Sequence, residues 1–117
     1  MDLQNKMFRL WDFHVSHSKL LLRCSEGDGR NIDMMFFGVH YMSLPNFIHG
    51  LALDEPTTDD MDRVRAVVGD RVKNSRLYVL CSKGIRHLIL ADDCIIEEND
   101  FGPMETNFRP LQRALGA

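Results

Sequence analysis

The sequence predicts an α+β fold: a mostly antiparallel β-sheet of about five or six strands, with one main helix packed on it. Three observations predict it. Extended runs with apolar residues at alternate positions recur in both halves of the chain. Glycine-bearing turns at Gly27, Gly29 and Gly84 separate them. One apolar stripe, Met61, Val64, Val68 and Val72, recurs at helical spacings of 3, 4 and 4.

Phe8 to Val15 is rich in aromatic and β-branched residues and reads as the first strand, with Trp11, Phe13 and Val15 on one face and Leu10, Asp12 and His14 on the other. Ser16-His17-Ser18 is turn chemistry. Lys19 to Ser25 resumes an extended run with Leu20, Leu22 and Cys24 on one face. In Glu26-Gly27-Asp28-Gly29 the glycines permit a tight turn. The third strand, near 31–37, contains Met34-Met35-Phe36-Phe37, apolar at both parities, which predicts a central strand covered on both sides. Gly38 suggests a bulge or a close approach, with Val39 to Met42 extending the strand beyond it. Ser43-Leu44-Pro45 has the form of a helix start, Ser43 as N-cap and proline in the first turn, and predicts a helical turn over Asn46 to Gly50. Leu51-Ala52-Leu53 is apolar and of undecided type.

Thr57 and Asp60 form a capping-box pattern, so the helix is expected from about Thr57 to Val72, closed by Asn74-Ser75. Arg76 to Ser82 alternates Leu77, Val79 and Cys81 against Tyr78 and Leu80. Lys83-Gly84 is a hairpin turn, and residues 86–91 are the return strand. Asp92-Asp93 breaks that strand, and Cys94 to Glu97 makes another. The whole chain, residues 1–117, is read as a single domain whose residues after about 100 are loosely structured, with a final turn at Leu111 to Leu115.

Composition narrows the function. A net charge of −3 and a pI near 5.9 argue against general nucleic-acid binding, which needs a basic surface. No apolar run approaches the roughly 20 residues that span a bilayer, and Met1 to Lys6 lacks the pattern of a signal peptide. No membrane association is expected. The odd set Cys24, Cys81 and Cys94, without CxxC spacing, predicts reduced thiols in a cytoplasmic protein.

No motif assigns catalysis, a metal or a cofactor. His14 and His17 are three apart, but HEXXH is absent and no metal site is expected. Cys24 or Cys81 with a histidine would make a dyad, yet no nucleophile setting surrounds either. GxGxxG and the phosphate loop are missing. Arg63, Arg65, Arg71, Lys73 and Arg76 do not form one helical stripe, since residues two apart diverge by about 200°. The acids carry the remaining signal. Residues 92–105 hold six acids and no base, among them Asp92, Asp93, Glu97, Glu98 and Asp100. Strand alternation puts Asp93 and Glu97 on one face and Asp92, Glu98 and Asp100 on the other. Such a segment also serves as a solvated edge that blocks unwanted strand pairing.

The stretch from Trp11 to His17, then Leu20-Leu21-Leu22-Arg23, Asn31-Ile32-Asp33 and Phe36-Phe37-Gly38-Val39, resembles small bacterial domains of unknown function. Some of these are similar to immunity proteins encoded beside polymorphic toxins. The likeness covers about the first half of the chain, its motifs are hairpin residues, and no functional residue carries over with it. It implies a non-enzymatic protein-binding domain, an immunity-type inhibitor whose partner is another protein such as a basic toxin. The five acids named above are then the expected partner-binding residues. One alternative is a small enzyme or small-molecule sensor with a histidine- and cysteine-lined pocket. Another is a structural homodimer formed through an open sheet edge.

Overall fold

The computed structural model describes residues 2–70 and 74–108. Nine strands and one helix follow in the order β1 (Met7–His14), β2 (Lys19–Ser25), β3 (Asn31–Phe37), β4 (Tyr41–Ser43), β5 (Phe47–His49), β6 (Ala52–Asp54), α1 (Thr58–Val68), β7 (Arg76–Ser82), β8 (Ile85–Ala91) and β9 (Asp93–Asn99). The class is the expected one, α+β and mostly antiparallel sheet. The strands form two sheets, however: a five-stranded sheet ordered β5-β1-β2-β3-β9 and a four-stranded sheet ordered β4-β8-β7-β6.

Alternation explains how the layers stack. Leu20, Leu22 and Cys24 of β2, with Ile32, Met34 and Phe36 of β3, point inward and meet Leu80, Ile89 and Ala91 of the four-stranded sheet. On the far side of that sheet Val79, Leu88 and Leu90 receive Val64 of α1, with Val68 and Leu77 packed beside them. Residues 77–81 of β7 and 88–91 of β8 therefore serve one of two cores according to their parity. Met61 shares the helical stripe but stays 45% exposed at its rim.

The chain changes sheets at tight corners. At Gly38, Asp92 N donates to Phe37 O at 2.9 Å and His40 N to Leu90 O at 2.8 Å, so β3–β4 and β8–β9 bend together. A Cβ on Gly38 would meet Asp92 Oδ2 at 2.2 Å, which is the close approach expected there. Gly50 carries β5 into β6 at φ 72°, and a Cβ there would lie 2.3 Å from Gln4 O. The obstacle is backbone, held by Gly50 N on Lys6 O at 2.8 Å and Leu51 N on Leu3 O at 3.1 Å. Gly50→Ala is expected to cost about 2–3 kcal/mol, combining left-handed strain with a displaced main chain. Gly27→Ala, with nothing within 4 Å, is expected to be neutral to slightly stabilising. Thermal unfolding of the two variants checks this; equal midpoints would contradict it.

Four local expectations are corrected. Val39 to Met42 does not extend β3: Val39 and His40 are not strand, and Tyr41–Ser43 pairs with β8 in the other sheet. Ser43 does not cap a helix, and residues 46–50 do not form a helical turn. Phe47–His49 is a strand paired with Met7–Arg9, and Ser43 Oγ accepts from Leu88 N at 3.4 Å. Local capping signals lose because pairing with β1 buries Ile48 against Phe8 in the main core. The faces of β1 are not one unbroken alternation: a bulge between Leu10 and Asp12 returns Phe13 to the inner core beside Leu10 and leaves Trp11 on the outer face. The helix ends at Val68, where Gly69 caps it at φ 71°; Val72 lies outside the described residues.

Residues 100–108 form neither helix nor strand, yet they are fastened across the outer face of the five-stranded sheet. Asn31 Nδ2 donates to Phe101 O at 2.8 Å, Arg23 Nη1 to Gly102 O at 3.3 Å, Trp11 Nε1 to Pro103 O at 3.1 Å and Arg23 Nη2 to Glu105 O at 3.0 Å. Phe108 then packs into a small core with Leu21 and Met35. The turn expected at Leu111 to Leu115 falls outside the described residues.

Candidate functional site

The feature that stands apart is the edge formed by β9. β9 pairs with β3 in unbroken antiparallel register from Asn31↔Asn99 to Phe37↔Asp93. Among the described residues no strand pairs with its other side. Residues directly opposite share a face. Asp93, Ile95, Glu97 and Asn99 therefore lie on the outer face, beside Phe37, Met35, Asp33 and Asn31, and Cys94, Ile96 and Glu98 lie on the inner one. Cys94 packs against the core, whereas Ile95 is 45% exposed and Ile96 36%.

The acids expected to bind a partner divide into three places. Asp93, Glu97 and Glu98 are on β9 itself. Asp92 sits in the bend before it, so the expected alternation does not extend to it. Asp100 lies beyond the strand end and is exposed. Asp92 accepts from Ser75 Oγ at 2.6 Å and lies 3.1 Å from His40 Nε2; the serine first, then the imidazole, holds its carboxyl below the usual range. Asp93 Oδ1 caps Cys94 N at 2.8 Å. Glu97 faces Asp33 across the ladder, a like-charge pair eased by amides: Asn99 Nδ2 donates to Asp33 Oδ2 at 2.8 Å, and Asn107 Nδ2 donates to Glu97 Oε1. Glu98 lies 3.6 Å from Arg30 in an exposed pair that contributes little. Ile95 and Ile96 were not singled out in the sequence. Their signal was present, since two adjacent apolar residues inside an acidic run put one on each face.

Ser75, Asp92 and His40 touch, but the carboxylate sits between the other two. The serine proton thus goes to Asp92 and the imidazole cannot act as its base. A depression of about 450 Å³ at the β5–β6 corner includes His49 and Cys81 in its lining. Cys81 Sγ is itself engaged by Arg86 Nη1, which lies at 3.6 Å. A cleft of about 420 Å³ under α1 is lined by Met61, Val64, Val68 and Leu77 among others. Among the described residues no group of three or more His, Cys, Asp or Glu side chains could hold a metal ion. No described helix is long and apolar enough to cross a membrane.

Cys24, Cys81 and Cys94 are free. Burial, then the neighbouring Asp93, pushes the Cys94 thiol up to about 12, and burial also raises that of Cys24. A thiol held protonated is a poor nucleophile. Cys94 is expected to react with iodoacetamide at pH 8 about a hundredfold slower in the native protein than in urea, read by peptide mass. Equal rates in the two states would contradict this.

Fold and site together define a two-sheet α+β domain with an acidic, isoleucine-bearing edge that is open among the described residues. No family model, curated protein or solved structure matches the chain.

Proposed function

We propose that this protein is a non-enzymatic protein-binding domain of the immunity type, which engages a basic partner through β9. The observation that carries the reading is the edge: seven residues, open on one side among the described residues, with two exposed isoleucines framed by Asp93, Glu97 and Glu98. A toxin nuclease is the partner class that the first-half resemblance suggests. Such enzymes bind polyanions, so their clefts are basic, and an acidic edge complements them. Charge complementarity of this kind raises the association rate more than the final affinity.

The test measures association with the product of the neighbouring gene at low and at high salt. Asp93→Asn with Glu97→Gln removes the outer-face charge, and Glu98→Gln with Asp100→Asn removes charge from the inner face and the strand end. One set is expected to slow association about tenfold at low salt, with the difference shrinking as salt rises. If neither set slows it and salt has no effect, the charged-edge mechanism is wrong. If the two proteins do not associate, the immunity-type reading fails.

A further inference from the structure

The geometry points to strand addition as the way the partner is held: an extended segment of another protein, basic at its ends and apolar between, continues the five-stranded sheet beyond β9. This rests on the protein-binding reading above and adds to it the shape and residue order of what is recognised.

β9 has seven residues, whereas the other sheet edges β4, β5 and β6 have three each. β3 satisfies one side of its backbone. An edge strand presents its remaining N–H and C=O groups in a row, a template for one more strand. Short edges hold such a strand poorly, which singles out β9 from the four edges.

The side chains fix what the added strand carries. Every strand pair among the described residues is antiparallel, and antiparallel pairing is the slightly stronger kind. An antiparallel segment read from its N-terminus faces Glu98, Glu97, Ile96, Ile95, Cys94 and Asp93 in turn. Opposite charges directly across stabilise a pair and like charges weaken it, while apolar pairs cover each other. The complementary order is therefore base, base, apolar, apolar, apolar, base.

A second copy of this chain does not supply that order through its own β9. The strand has no base, so no register of self-pairing sets a cation against Asp93, Glu97 or Glu98. A two-fold axis at Ile95 would oppose Asp93 to Glu97, and one at Glu97 would oppose that residue to its own copy. The acids that attract a basic segment thus also discourage the homodimer.

The probe is a capped peptide, Lys-Lys-Val-Val-Val-Lys, titrated into the isotope-labelled full chain. Two further peptides carry N-methyl groups on one alternate set of residues or on the other. In a paired strand alternate N–H groups face the neighbour and the rest face away. Amide shifts are expected to concentrate at residues 93–99. One methylated peptide should lose affinity about tenfold or more while the other binds like the parent. Strand addition is overturned if the parent does not bind, if the shifts lie elsewhere, or if both methylated peptides bind alike. Equal binding of both, weakened by Glu97→Gln with Glu98→Gln, would mean charge attraction without a ladder. In that case strand addition fails while the protein-binding reading stands.

Discussion

Arg23→Leu is expected to destabilise the protein by about 3–5 kcal/mol, the range for breaking a buried ion pair from one side. Arg23 and Asp33 are each 1% exposed, facing each other across the β2–β3 hairpin. The pair is two-pronged: Arg23 Nε donates to Asp33 Oδ1 at 2.7 Å and Nη2 to Oδ2 at 2.9 Å. The same guanidinium lies over the Trp11 ring at 5.3 Å and binds the carbonyls of Gly102 and Glu105. With leucine in its place, Asp33 keeps the Asn99 amide but no cation, and both carbonyls lose their Arg23 donors. Domains of this size have about 5–15 kcal/mol in total, so the variant approaches unfolding. Asp33→Leu on its own should be comparably damaging, because it strands the cation. The double variant should cost less than the sum of the two, since no unpaired charge remains. Urea midpoints followed by Trp11 fluorescence measure all three. A loss below about 1 kcal/mol for Arg23→Leu would mean that residues 100–108 are not held through this side chain.

The hairpin behind that pair was legible in the sequence, but the pair itself was not drawn from it. Counting outward from Glu26-Gly27-Asp28-Gly29 would set Ser25 against Arg30 and Arg23 against Ile32; the turn instead includes Arg30, closed by Glu26 N on Arg30 O at 2.8 Å, and that fifth residue brings Arg23 against Asp33. Strand positions followed from parity, as in Leu77, Val79 and Cys81 against Tyr78 and Leu80, because each face of β7 meets a different apolar layer. Parity does not reveal which sheet a strand joins. The division into two sheets depends on corners at Gly38 and Gly50, where main chain crosses main chain at long range. Phe47–His49 was obscured for a related reason: its local signals favour a helical turn, and only its distant partner β1 makes it a strand. At the candidate site the acids were legible as a run without bases. They also read as a solvated edge, and β9 is an outermost strand; that its one neighbour is β3 was not legible, because strand order is decided by the whole fold.

Asp60→Ala is the second large expected loss, about 2–4 kcal/mol at neutral pH, and its size should depend on pH. Asp60 is 2% exposed at the start of α1 and does two things there. Its Oδ2 accepts from Thr57 N at 2.8 Å while its own N–H donates to Thr57 Oγ1 at 3.1 Å, which closes the capping box. Its carboxylate also receives Arg86 of β8, with Nη2 at 2.7 Å and Nε at 3.1 Å from Oδ2, so one side chain both starts the helix and ties it to the sheet. The guanidinium foremost, then the Thr57 backbone N–H, holds the Asp60 carboxyl well below the usual carboxylate range. A lowered folded pKa gives stability that is complete above the unfolded value of about 3.9. That stability is lost as pH falls from there through the folded value. Wild type and Asp60→Asn, which keeps the shape of the side chain without its charge, should therefore differ by a constant amount between pH 5 and 7. The gap should narrow as pH drops below about 4, where unfolded Asp60 takes up its proton and folded Asp60 resists it. Urea unfolding at pH 7, 5 and 3 measures the gap. A gap that stays the same at pH 3 would mean that the aspartate exceeds asparagine through its second acceptor oxygen and not through its charge, and that Arg86 draws its stabilising charge partner from Asp54, 2.8 Å from Nη1, instead.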